Sequence, residues 1–575
     1  MNRVTGASVN SVYENYIWHN DNRDLAEKLY SSPPLAFGAL ENRVSRLMEH
    51  YSETGWHSES RMKKVKSTLT RINRQLGTLT PQVQWNIDHL EGGAIESAHQ
   101  SVVLGGPIYI LNKAATAELV AAQNSTPEKP LASFFCVADY DIVQNELTHM
   151  RTPLMGSGGT IISLPVDEEY SFSPVSALPL PNYQWLEETS ENIRVGYRPL
   201  FKVVESKAKL LLEERLERAL TVLKHSFINS QSLGQWAASI YAHLFNIEGN
   251  LGIPLLTASD PEVRELWALG MELLIQRETR QKFVKQHNDI TELIIAHGFE
   301  PGIGPRNDDY APFYYECEND SCHKSRTEMS FVEKGSSSVI KGKCPSCGEL
   351  IEIEVSSVAP DLSDVSHNLS PRVDTRQFIV DTSIPVLAHA GGPGETAYYA
   401  QVIPIANELG LPFPMYIKYP RVFFNTPWNE DLGKALHERE FPVLHRAELY
   451  KLLGKVARFR KKNRVEEMND QLSDIASLIR ETHEKLNEAH KDLSDKIEAS
   501  GPKAVSEDLM VRLDLERYLS WAYGQYADEK VAQESSWSWI EWALNSGLAD
   551  LFGPYQRAYI EGMKHGATLF VNFVV

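Results

Sequence analysis

Apolar and polar positions change their period several times along the chain, and each change predicts a different kind of element. Residues 1–80 read as helical: Met62, Val65, Leu69 and Ile72 recur at three- and four-residue steps among Arg61, Lys63, Lys64, Lys66, Arg71 and Arg74. That is the pattern of a surface helix with a solvated face. Over 81–180, QSVVL, LASFFCVA and TIISLPV read as strands and ILNKAATAELVAAQ as a helix between them. Such alternation predicts a parallel sheet. Residues 181–305 read as a helical connecting insertion, for example SKAKLLLEERLERALTVLKHSF, and the strand-to-helix pattern resumes over 359–443 at SIPVLAHAGGPGETAYYAQVIPIANELG.

Further on, Val465, Met468, Leu472, Ile475, Ile479, Thr482, Leu486, Ala489 and Leu493 alternate three- and four-residue steps. This heptad seam predicts a coiled-coil arm or hairpin over 444–502. The basic run Lys455, Arg458, Arg460, Lys461, Lys462 and Arg464 at its base reads as a solvated face, with a phosphate-facing role as the alternative. The segment 503–575, with Trp537, Trp539, Trp542, Phe552 and Tyr555, is too aromatic for a loose terminus and is expected to dock on the core as helices.

Four of the five cysteines change this picture. Cys317-x4-Cys322 and Cys344-x2-Cys347 place two thiolates on each of two small turns, about 20 residues apart, the spacing of a structural zinc ribbon. Pro345 and Gly348 suit the second turn, and PFYYE and ELIEIEV read as flanking strands, so 306–358 is expected to be a ribbon. Four thiolates leave no open coordination position, which predicts a structural metal. Cys136, inside LASFFCVA, reads as a buried small hydrophobe.

At 575 residues the chain exceeds the size of a single core, so several packed units are expected. Its 42% hydrophobic and 23% charged residues are those of a globular protein. No apolar run reaches the roughly 18 residues of a membrane span, and the first residues do not resemble a secretory signal. A cytoplasmic protein is expected. A net charge of −19 disfavours extensive nucleic-acid or anionic-lipid binding.

Candidate chemistry gathers at three strand ends. In PVLAHA-GGPGE-TAYYAQ an apolar strand turns through Gly391, Gly392 and Gly394 into a helix, a geometry that brings free N–H groups and the helix dipole to a phosphate or carboxylate. A tight strand-to-helix connection explains the glycines equally well. Glu395 is placed to cap those donors or hold a substrate amine. A second copy, QSVVL-GGP-IYILNKAATAEL, carries Gly105, Gly106, Pro107 and then Lys113, a cation for phosphate or a solvated surface lysine. After LASFFCVA come Asp139, Tyr140 and Asp141, with Glu146 and His149 beyond. These acids suit an ammonium group, a ribose or magnesium, or cap the next helix. One E-x-x-H unit is not enough for a di-iron site. His389, in an apolar strand, reads as a satisfied core histidine rather than a base.

Several of these segments resemble the bacillithiol-biosynthesis cysteine-adding enzymes. AHQSVVLGGPIYILNKAATA is similar to that family's TGQQAG-type strand and GP turn, FFCVADYDIVQNEL to its strand end with EDHD, SPRVDTRQF to its SP-x-x-x-x-R segment, and AGGPGETAYYAQ, followed by Pro420-Arg421, to its GGPGE-x-AY turn and PR pair. The resemblance implies an α/β, Rossmann-like (nucleotidyltransferase-like) parallel-sheet core with a helical insertion and a coiled coil that makes a homodimer. To this the chain adds a zinc ribbon.

The activity the resemblance implies is a ligase joining cysteine to the amine of glucosaminyl malate, with ATP or ADP as nucleotide. By position it assigns catalytic roles to Asp141, Glu146, Arg376 and Glu395. By the same match substrate or nucleotide binding falls to Gln100, Gly106, Lys113, Gly391, Gly392, Gly394, Tyr398 and Arg421, and it is expected also of His99 and Asp139 at the neighbouring strand ends. The chain departs from the pattern where EDHD becomes Tyr140-Asp141-Ile142-Val143 and QQ becomes His99-Gln100. A non-catalytic binding protein of the same fold and a synthetase-like protein acting on tRNA are the alternatives.

Overall fold

The computed structural model describes residues 7–152, 160–202, 204–334, 337–443, 446–462, 464–512, 514–515, 533–559 and 563–573. Its centre is a five-stranded, all-parallel sheet. In spatial order the strands are Leu255–Thr257, Ala132–Ala138, Ala94–Gln100, Val386–Gly391 and Met415–Lys418. The first and fourth strands in sequence are therefore neighbours, and their carboxyl ends form the topological switch point where open α/β sheets bind ligands.

Strands buried on both faces need apolar side chains in both alternating sets. Ile95, Phe135, Leu255 and Ala388 face one core, with the helices Tyr109–Asn124 and Leu233–His243. Ala94, Phe134, Leu256 and Val386 face the other, with Glu59–Gln75 and Pro261–Ile275. Met62, Val65, Leu69 and Ile72 are buried there as the spacing predicts. The basic residues of that helix are not simply solvated: Arg61 donates to the carbonyls of Leu266 and Thr382, and Arg71 to Asp260.

Three expectations are corrected. QSVVL is not a strand; the first strand is Ala94–Gln100 and ends where that segment begins, because Val103–Gly105 already forms a tight turn. TIISLPV does not join the parallel sheet: Thr160–Ser163 pairs antiparallel with His149–Thr152. The stretch 181–305 is not only a helical insertion, since it supplies the three-residue edge strand Leu255–Thr257.

The cysteine-rich region is a five-stranded antiparallel sheet of Leu350–Ser356, Ser337–Lys343, Arg326–Lys334, Tyr310–Glu316 and Leu369–Pro371. Helix Val465–Ser500 packs against Arg446–Lys461. Ile475 and Leu486 of its seam are buried within the one chain, and Met468, Leu472, Ala489 and Leu493 are partly buried against the same core. The side chains of Ile479 and Arg460 lie outside the described residues. Trp537, Trp539 and Trp542 dock the C-terminal segment, the Trp539 indole donating to the Leu104 carbonyl at 2.6 Å. That segment is not wholly helical: Thr568–Asn572 pairs in parallel with Arg421–Asn425. Residues 516–532 lie outside the description. Among the described residues no helix is long and apolar enough to cross a membrane.

Candidate functional site

A cavity of about 670 Å³ opens at the switch point. Of the residues singled out from sequence, His99, Gln100, Lys113, Asp141, Glu146, Arg376, Gly394, Glu395 and Tyr398 line it. Asp139, Gly106, Gly391, Gly392 and Arg421 do not.

Four of these five absences have a local reason. The Asp139 carboxylate accepts from the Ser259 N–H at 2.8 Å and its hydroxyl at 2.5 Å, tying the second strand to the loop after the third. Burial pushes its pKa up to about 6. Gly106 donates to the Val103 carbonyl and accepts from Trp539, so protein fills this glycine turn. A Cβ on Gly391 would lie 2.8 Å from Glu395 Cβ, and one on Gly392 2.8 Å from the Tyr419 ring. Only Gly394 opens onto free space. The glycines thus divide between close packing and a backbone open to a ligand.

Two charge clusters build the walls. Lys113, on the helix after the first strand, pairs with Glu395 at the start of helix Pro393–Leu409 and donates to the Ala98 carbonyl at 3.0 Å. The other Glu395 oxygen accepts from the Gly392 N–H at 3.1 Å. Burial would raise the Glu395 pKa, but the Lys113 charge and hydrogen bond outweigh it and hold it at about 2.

In the second cluster Glu96 and His389 stand opposite each other in register on the first and fourth strands. His389 Nδ1 lies 3.1 Å from Glu96 Oε2, and Arg376 donates to Glu96 Oε1. All three residues are buried. Burial would raise Glu96, but Arg376 and His389 outweigh it and bring it to about 2. Burial lowers His389, against the opposing pull of Glu96, which keeps the imidazole neutral at pH 7. Its Nε2 has no hydrogen-bond partner, and the residue lines the cavity. The expectation of a satisfied core histidine therefore holds for one nitrogen only.

At the end of the first strand Gln100 donates to Asp141 at 2.7 Å. His99 Nδ1 contacts the Gln100 carbonyl at 2.9 Å, so it carries the proton and Nε2 accepts from the Tyr109 hydroxyl at 2.6 Å. Burial and the Lys113 charge lower the His99 pKa to about 3, leaving a fixed neutral ring. Sequence reasoning missed Glu96, Arg326 and Tyr314. A lone glutamate inside the apolar strand AIESAHQ was the available signal, because a buried carboxylate demands a partner.

The four thiols come together as the spacing predicts. Their sulfurs lie within 4.8 Å of one another, with Cys317–Cys347 at 4.0 Å and Cys322–Cys344 at 3.9 Å. Tetrahedral bonds of about 2.3 Å to a metal place sulfurs about 3.8 Å apart, so this set could hold a metal ion. Cys136 is buried in its strand, and burial raises its thiol to about 11, as suits a packing role.

Residues 1–422 match the family model described as bacillithiol biosynthesis BshC, N-terminal Rossmann-like domain. Proteins named "Putative cysteine ligase BshC" are similar over much of their length. The one from Chloroherpeton thalassium is 23% identical over 521 residues, covering 87% of this chain and 83% of the relative. That from Carboxydothermus hydrogenoformans is 24% identical over 462 residues, covering 79% and 76%. With the family model spanning most of the chain, and the Rossmann-like sheet, glycine turn and lined switch-point cavity in place, this chain belongs to the bacillithiol-biosynthesis BshC family.

Proposed function

We propose that this chain is a cytoplasmic ligase that joins cysteine, or a related amino acid, to the amine of an amino-sugar conjugate such as glucosaminyl malate in bacillithiol-type thiol synthesis. The names of its relatives support the cysteine ligase reading. The observation that carries it is His389, backed at Nδ1 by Glu96 and with a buried, unpartnered Nε2, on the lining of a cavity that also presents Asp141 and Glu146. Amide formation needs a proton acceptor for the attacking amine, and a neutral histidine oriented by a carboxylate is suited to that work.

In this reading the acceptor nitrogen forms the new C–N bond with a carboxyl carbon activated by ATP. The phosphate or nucleotide departs with its bonding electrons, and the amine proton passes to His389 Nε2. Asp141 and Glu146 hold an ammonium group, and the open backbone at Gly394 faces an anionic group of a substrate. The four thiolates hold zinc as a structural ion.

The test is direct. The purified chain, incubated with cysteine and glucosaminyl malate with and without ATP, is expected to form the cysteinyl amide, read by mass spectrometry. No amide under either condition overturns the proposal.

A further inference from the structure

The two knuckles of the four-cysteine cluster meet at one residue, Ser325. Cys317 N–H donates to the Ser325 carbonyl at 2.9 Å, and Ser325 N–H donates to the Cys322 carbonyl at 2.8 Å. From the other knuckle, the Ser346 hydroxyl bonds the Ser325 hydroxyl at 2.9 Å. The next residue, Arg326, opens the ribbon strand Arg326–Lys334, and it lines the switch-point cavity.

Arg326 is buried and held from several sides. Its guanidinium carbon lies 4.2 Å from the Tyr314 ring centre and 5.1 Å from that of Tyr140. Nε donates to Ser370 Oγ and Nη2 to the Pro371 carbonyl, both at 2.9 Å. Nη1 makes its approach to Asp141 Oδ1 at 3.6 Å, longer than a hydrogen bond. Asp141 in turn is fixed through its other oxygen by Gln100. The result is a cation and an anion on the wall of a cavity, each anchored by other partners and loosely paired with each other at 3.6 Å, without a direct hydrogen bond.

We infer that Arg326 receives the carboxylate of the amino-acid substrate while Asp141 receives its ammonium, and that the metal in the ribbon sets the position of Arg326 through Ser325. The assignment rests on the ligase reading above. An α-amino acid is a zwitterion whose two charges complement a fixed Arg–Asp pair. A planar guanidinium already anchored through two of its nitrogens loses little freedom when it binds a carboxylate. Without metal the two knuckles lose their common centre, and the junction at Ser325 loses the restraint that aims Arg326.

Calorimetric titration of the full chain with cysteine and with cysteamine tests this, because cysteamine keeps the thiol and amine and lacks only the carboxylate. The metal-loaded wild type is expected to prefer cysteine by about tenfold or more, the loss expected for one charge-assisted hydrogen bond. Arg326→Gln is expected to lose that preference while binding cysteamine as the wild type does, which also shows that the variant is folded. Ser325→Ala, with all four thiolates intact, is expected to narrow the preference, and chelator-stripped protein to match Arg326→Gln.

A preserved preference in Arg326→Gln overturns the carboxylate assignment, and a preserved preference in stripped protein overturns the role of the metal. Should Arg326→Gln bind neither ligand, Arg326→Lys serves in its place, and an undiminished preference there overturns the anchored-guanidinium argument. A wild-type chain that binds no cysteine overturns the ligase reading itself, an outcome distinct from the others.

Discussion

Lys113, buried, and Glu395, partly exposed on the cavity wall, form an ion pair across the switch point, joining the helix after the first strand to the glycine turn after the fourth. The two half-sheets, separated by more than 250 residues of chain, are thereby clamped at the mouth of the cavity they share. Removing one partner leaves the other charge without compensation; because Glu395 keeps part of its surface on the cavity, the cost is expected to fall below the roughly 3–5 kcal/mol of a fully buried pair. Lys113→Met and Glu395→Gln are each expected to lower the unfolding midpoint. The double variant Lys113→Met/Glu395→Gln is expected to recover much of the loss, because it leaves no orphan charge. Thermal unfolding of the four proteins measures the coupling.

His389 gives a kinetic prediction. A base in its neutral form loses activity as pH falls through its pKa, and burial places that pKa below the usual 6.5. The wild-type rate is therefore expected to fall on an acidic limb below pH 6.5. His389→Gln is expected to lower kcat by roughly 10²–10⁴-fold and to remove that limb, with little change in KM. An unchanged kcat would show that the imidazole is only a packing group.

Much of this site was legible in the sequence, and the remainder was hidden for identifiable reasons. LASFFCVA and PVLAHA are apolar on both faces, so strands buried between two layers announce themselves. The strand Leu255–Thr257 has three residues and lies among long helices, too short to show a period of two. Thr160–Ser163 alternates between at least partly buried and exposed positions, the mark of a two-stranded ribbon, and was read with the parallel sheet because it follows an alternation of strands and helices. The GGPGE turn showed where the chain bends, but only contacts with Tyr416, Tyr419 and Glu395 separate its close-packed glycines from the open one. Arg326 was invisible as a site residue because a residue beside a cysteine turn gives no sequence signal that its side chain reaches another unit.

The division among those glycines predicts opposite behaviours. Gly392→Ala must displace the buried Tyr419 ring, and overpacking of this kind costs about 1–3 kcal/mol. Gly394→Ala meets no atom within 4 Å, so its unfolding midpoint is expected to match the wild type. Its methyl group lies where a ligand would approach the helix start, so substrate binding is expected to weaken. Unfolding and ligand titration on both variants distinguish the two effects.

Cys344→Ser removes one of three buried thiols from the four-cysteine cluster. The variant is expected to lose its metal, read by elemental analysis. Faster amide hydrogen exchange is expected across 310–356, with unchanged protection in the strands Ala94–Gln100 and Ala132–Ala138. Retained metal, or loss of protection throughout the parallel sheet, would contradict a locally folded metal module.

Asp139 predicts a pH dependence of the opposite sign to that of Glu395. Burial raises its pKa from 3.8 to about 6, so between those values the folded chain binds more protons than the unfolded one. Its contribution to stability is therefore complete below about pH 4 and lost as pH rises through 6, by at most about 3 kcal/mol at 1.36 kcal/mol per pKa unit. Glu395, held at about 2, contributes stability above its usual 4.5 that disappears only as pH falls towards 2. Asp139→Asn keeps an acceptor for the Ser259 N–H without the buried charge. Relative to wild type it is expected to gain stability progressively from pH 4 to 6 and to hold that gain at pH 7.5. A difference independent of pH would show that the carboxyl is not protonated in the folded chain across this range.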